Sequence, residues 1–120
     1  MKPDFDLMRR LMLDIANRPI SNDPPHIQYT DCDEKTINWH LAHLINTNFL
    51  KGKVLGPAMA PDAVAVLGIT PDGYEFVKAA EDDTLWQKSK SWMLQIAVPI
   101  TIRAVFEWLK AEAKAKLGIP

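Results

Sequence analysis

Three histidines and a single cysteine are the side chains here best suited to metal or nucleophilic chemistry. His40 and His43 lie one helical turn apart, and His26 and Cys32 are near in sequence. Structural zinc sites bring Cys and His together in tighter pairs than these. Surface histidines are the simpler reading, and no metal is expected. Glu81, Asp82 and Asp83 gather three carboxylates, but as the acidic start of a helix and not as an acid–base pair. The sequence holds no phosphate-cradling Gly-rich loop, no Ser-His-Asp order and no Cys-x-x-Cys motif. The side chains point away from an enzyme, and no cofactor is expected.

Recognition chemistry is better represented. From Asp33 to Leu50 the chain reads DEKTINWHLAHLINTNFL. Ile37, Leu41, Leu44 and Ile45 form one apolar stripe at helical spacing. The opposite face then carries Lys35, Thr36, Asn38, Trp39, His40, His43 and Thr47. Asn and His hydrogen-bond base edges, and Lys35, with Lys51 and Lys53 just beyond, would meet phosphates. Double-stranded DNA is therefore one expected partner, with this helix in the major groove. A protein partner is the other. Trp39 and an apolar loop of Pro57, Ala58, Met59, Ala60 and Pro61 would anchor it, unless Trp39 merely packs on Tyr29 or the first helix.

The elements that must position this helix are legible around it. Asp33 or Cys32 should cap its start, with Asp33 and Glu34 at the positive end of the dipole. Asn48 should end it in a left-handed conformation. Lys51–Leu55 and Ala63–Ile69 read as two strands of a hairpin, with Gly56–Asp62 as its connecting wing. Met59, inside that loop, is expected to fold back on apolar surface. A first helix from Asp4 buries Phe5, Leu7, Met8, Leu11, Met12 and Ile15 and stops near Asn17 and Pro19. Residues 18–32 are rich in Pro, Asn and Asp; helix is improbable there, and Ile27–Tyr29 is a candidate short strand joining the hairpin. Thr70-Pro71-Asp72 starts another helix, and Asp82 to Thr84 a fourth, running through Ile96. A last helix spans about Ile100–Leu117, with Gly118 after it.

These elements give an α+β, mainly helical fold. Residues 1–81 would form a winged helix-turn-helix-like core, and residues 82–120 two additional C-terminal helices in the same compact domain. Trp86, Trp92, Phe106 and Trp108 supply more apolar surface than a small core needs. They would either cap it or build a homodimer interface.

Charge argues against non-specific nucleic-acid binding. The net charge is −1, and residues 1–56 carry seven basic and seven acidic side chains, so no basic half exists. One cysteine permits no intramolecular disulfide. The N-terminus lacks a signal-peptide core, and no apolar run approaches the ~20 residues of a membrane span. A cytoplasmic protein with no membrane partner is expected.

Several phrases carry a family resemblance: MKPDFDLMRRLMLDI, TINWHLAHLINTNFL, ITPDGYEF and DDTLWQKSK. In order and spacing they resemble the bacterial and phage family called domain of unknown function 2513. That resemblance implies a winged-helix-like fold and a phage or prophage setting, and carries no established activity. TINWHLAHLINTNFL is also similar to the recognition helix and strand entry of winged-helix regulators, at Thr36, Ile37, Asn38, Leu41, Leu44, Asn48 and Phe49. Trp39 and Ala42 stand where such regulators commonly place Arg and Lys.

Overall fold

The computed structural model describes residues 2–19, 21–57 and 59–118. Its elements run α1 (Phe5–Asn17), α2 (Glu34–Asn46), β1 (Leu50–Leu55), β2 (Ala63–Ile69), α3 (Pro71–Ala80), α4 (Asp83–Leu94) and α5 (Ile102–Lys116). It is a mainly helical α+β fold whose sheet, among the described residues, is an antiparallel hairpin.

Each helix among the described residues begins at a side-chain cap, and the sequence marks every one of these starts but the last. Asp4, Asp33, Thr70, Asp82 and Thr101 accept hydrogen bonds from the amides of Leu7, Thr36, Gly73, Leu85 and Ala104. Each satisfies one of the donors that a helix start leaves unpaired. Asn48 takes φ 68°, the left-handed turn that ends α2. Phe49 N–H then reaches back to Leu44 O at 2.9 Å, so β1 begins two residues later with its direction already set.

The core lies between α1, α2, α3 and α5. Met8, Leu11, Met12, Leu44, Phe49, Phe76, Phe106 and Leu109 are fully buried. Phe49 meets Phe106 edge-on at 5.2 Å and Phe76 at 5.4 Å, the offset geometries that aromatic quadrupoles favour. Trp86 joins this cluster through Phe76 and donates its indole N–H to Asp6 at 2.8 Å. Trp86 (1% exposed) and Phe106 (0%) are thus interior residues of one chain, which is the capping role and not the dimer surface that was the alternative for them. Their apolar area is already spent on α1 and α3.

Three other expectations are corrected. Ile27–Tyr29 does not join the hairpin: Tyr29 forms an isolated bridge with Cys32, and Ile27 is buried in the core instead. A tight turn at residues 29–32 pairs Tyr29 with Cys32 in place of a hairpin strand. Met59 is 86% exposed and does not fold back, while Ala58 lies outside the described residues. Finally, α4 ends at Leu94, two residues short of Ile96, and α5 starts at Ile102 where Thr101 supplies the cap.

A polar clasp locks α2 to the elements after it. Thr70 Oγ1 donates to Asn48 O at 2.6 Å and accepts from Gly73 N–H at 2.9 Å. Arg103, from α5, donates to Thr47 O and to Asp72, both at 2.8 Å, with its guanidinium 4.6 Å from the Phe49 ring centre. The carbonyl end of α2 is where a cation is favoured.

Candidate nucleic-acid interface

α2 presents its polar residues unevenly. Lys35 is exposed, and Thr36, Asn38, Trp39 and His43 are half-buried. His40 is 1% exposed. Its Nε2 accepts from the Asp4 amide at 2.9 Å, and its Nδ1 lies 2.7 Å from Thr36 O. Together these fit the tautomer with the proton on Nδ1. His40 is a strut between the starts of α1 and α2, so its assignment to a base-contacting face is corrected. The sequence carried the signal: residue 40 falls three after Ile37 and four before Leu44, inside the buried stripe.

Trp39 and His43 form the aromatic part of the face. Their rings stack 5.3 Å apart at 9°, and the edge of His40 supports Trp39 from below at 4.9 Å. Burial, and then the neighbouring His40, push the His43 pKa below its ordinary value. The imidazole is thereby biased toward its neutral form, which keeps both a donor and an acceptor.

Beside the first half of α2 the hairpin loop completes an open groove of about 460 Å³. Lys35, Asn38 and Trp39 form one wall; Met59, Pro61 and Asp62 form the other. Lys51 and Lys53 are exposed on β1. A Cβ at Gly52 would meet Ile45 of α2, so the flanking lysines project from the opposite face of the sheet. The structure thus gathers Lys35, Asn38, Trp39 and His43 on one helix and places Lys51 and Lys53 on the far side of the adjoining hairpin.

The charge inventory separates structural cations from available ones. Arg9 donates to Ala80 O at 2.7 Å and Arg10 to both oxygens of Asp31; Arg18 pairs with Asp14 and Arg103 with Asp72. Every arginine is therefore engaged within the fold. Lys35, Lys51 and Lys53 make no ion pair among the described residues. Trp92 and Trp108 stack 5.5 Å apart at 19° and are half-buried, across α4 and α5. Among the described residues, no three His, Cys, Asp or Glu side chains converge as a metal site.

A family model described as "Hypothetical protein (DUF2513)" matches residues 2–99. The chain belongs to that family. The matched span covers α1 to α4 and the hairpin, and α5 lies beyond it although Phe106 and Leu109 complete the core. No curated protein and no solved structure matched the chain. Among the described residues, no helix is long and apolar enough to cross a membrane.

Arg103 carries weight that the sequence did not disclose. Arg103 has no local motif; its partners lie 31 and 56 residues away. Met59 is one methionine in a short loop, and only the folded hairpin places it opposite Trp39.

Proposed function

We propose that this protein is a winged-helix DNA-binding protein, a small phage or prophage transcriptional regulator whose recognition helix is α2. The observation that carries the reading is the passage from α2 into β1 through left-handed Asn48, with Lys35, Lys51 and Lys53 left outside the fold's ion pairs. In this reading Asn38 and His43 address base edges, Lys35 meets a phosphate beside them, Lys51 and Lys53 on the far face of the hairpin meet phosphates outside the groove that α2 enters, and the Trp39–His43 stack holds the face rigid. With every arginine engaged, guanine reading is left to lysine, and the amide of Asn38, a donor beside an acceptor, favours adenine. A homodimer would double the phosphate contacts, with Trp92 and Trp108 as the aromatic surface for it.

The test is binding to a selected duplex as a function of salt. Three phosphate contacts give a slope of log K against log salt of about −2.7 per protomer. Asn38→Ala with Lys51→Ala should abolish specific binding and make the slope shallower by about 0.9. Unchanged affinity in that double variant sinks the assignment.

A second reading, a non-catalytic protein-interaction module, is favoured by the exposed Met59 facing Trp39 across an open groove. Apolar aromatic anchors of this kind dominate protein interfaces. It predicts one stoichiometric partner that is lost on Trp39→Ala and indifferent to salt.

A further inference from the structure

The open edge of β2 is a second recognition feature, remote in character from the α2 face. β2 pairs with β1 on one side, and no other backbone hydrogen bond among the described residues reaches it. Edge strands are normally blunted by Lys, Pro or inward-pointing charge. Ala63–Ile69, AVAVLGI, contains no charged residue and no proline.

A groove of about 490 Å³ runs along this edge, floored by Val66–Ile69 and walled by Pro19, Pro24, Pro25 and Tyr74. Pro19, Pro24 and Pro25 on the far wall have no N–H to offer, and no backbone hydrogen bond among the described residues joins this wall to β2. Strand spacing of ~4.8 Å, layer spacing of ~10 Å and rise of ~3.4 Å give roughly 160 Å³ per extended residue. The groove thus has room for about three residues of one more strand.

Gly68 supplies an independent sign. It lies beside the β-bulge, where Lys51 faces Gly68 and Gly52 faces Val66. Its φ is not in the left-handed range, and a Cβ there would meet nothing within 4 Å. A strand glycine marks a bulge or a place where another backbone approaches; the bulge is present here, and the open space beside Gly68 leaves room for the second as well.

We propose that the β2 edge binds an extended, apolar linear segment of a partner protein as a third strand, with Gly68 leaving room for its backbone. Pairing over three or four residues covers only a few hundred Å², far below the roughly 1,200 Å² of a stable interface between folded bodies. A flexible peptide fits that scale and a rigid second copy of this chain does not. Asp23, on the groove wall and in no ion pair among the described residues, favours a cation at one end of the segment.

The probe is a display library of random linear peptides selected on the full chain. Enriched sequences should alternate β-branched residues and carry a Lys or Arg. Binding them should slow hydrogen exchange at alternate β2 amides. N-methylation of every second peptide residue should weaken binding about tenfold per lost backbone bond, while methylation of the intervening residues leaves it intact. Gly68→Trp should block binding with the thermal transition unchanged; if that variant does not fold, Asp23→Arg should reverse the charge preference of the selected peptides. No enrichment, or peptides that tolerate N-methylation throughout, overturns the proposal. Self-association that is lost on Gly68→Trp assigns the edge to a second copy and overturns it equally.

Discussion

Replacing Thr70 with Val tests the joint that fixes α2 against the hairpin and α3. Thr70 is 4% exposed, and its hydroxyl serves two duties, donating to Asn48 O in a half-buried bond and accepting from Gly73 N–H in a buried one. Valine keeps the shape and removes both. Loss of the helix cap costs about 1 kcal/mol, and depriving the Asn48 carbonyl of its donor about 1–2 kcal/mol more. The sum, about 2–3 kcal/mol, is a large share of the ~5–15 kcal/mol that holds a domain folded. With a urea m-value of about 1–3 kcal/mol per molar, the unfolding midpoint should fall by about 1–2 M. Thr70→Ser retains the hydroxyl and should stay within about 1 kcal/mol of the parent. A Thr70→Val midpoint indistinguishable from the parent would refute the clasp as the joint between α2 and the sheet.

Two glycines of the hairpin should respond in opposite directions. A Cβ at Gly52 would sit 2.3 Å from Ala65 O and 2.7 Å from Ile45 Cδ1, so Gly52→Ala should cost about 2 kcal/mol or more in thermal unfolding. Gly68→Ala meets open space and should be neutral or stabilising by up to about 1 kcal/mol; equal losses at both would contradict the register. Burial, helped by the hydrogen bond to Asp14, pushes the Tyr29 pKa up to about 12 from 10.0. Its folded pKa is above the unfolded one, so its contribution is complete below pH 10 and is lost as pH rises toward about 12. Tyr29→Phe should flatten that part of a stability–pH curve. His43 has the opposite sign: with its pKa pushed below 6.5, the unfolded chain takes the proton first. Its contribution is complete above pH 6.5 and shrinks as pH falls below that value. His43→Phe should remove this acid-side slope, and an unchanged slope would show that the imidazole is not held neutral by its surroundings.

Local signals read correctly because their physics is local. Asp33, Thr70-Pro71 and Asn48 act within three or four residues along the chain, so caps and the entry into β1 follow from sequence. The failures share the opposite property. His40 is claimed by an amide 36 residues away, and Trp86 by a carboxylate 80 residues away; no window on the helix contains either partner. Ile27–Tyr29 has strand-forming residues, yet Tyr29 pairs with Cys32 across the turn that follows. The candidate interface was legible as a helix with polar residues, but which of them stay outside the core depended on how α1 docks. Arginines show the same limit: four positive charges in the sequence become four structural contacts in the fold.

Selection of randomised duplex DNA on the purified chain, sequenced after rounds at low and at near-physiological salt, tests the central claim most directly. The account predicts an enriched site with adenine at its core, palindromic for a dimer, whose enrichment is lost on Asn38→Ala together with Lys51→Ala. Weak binding that salt abolishes and that enriches no sequence would contradict it, and would give the Lys35–Trp39 face to a protein partner.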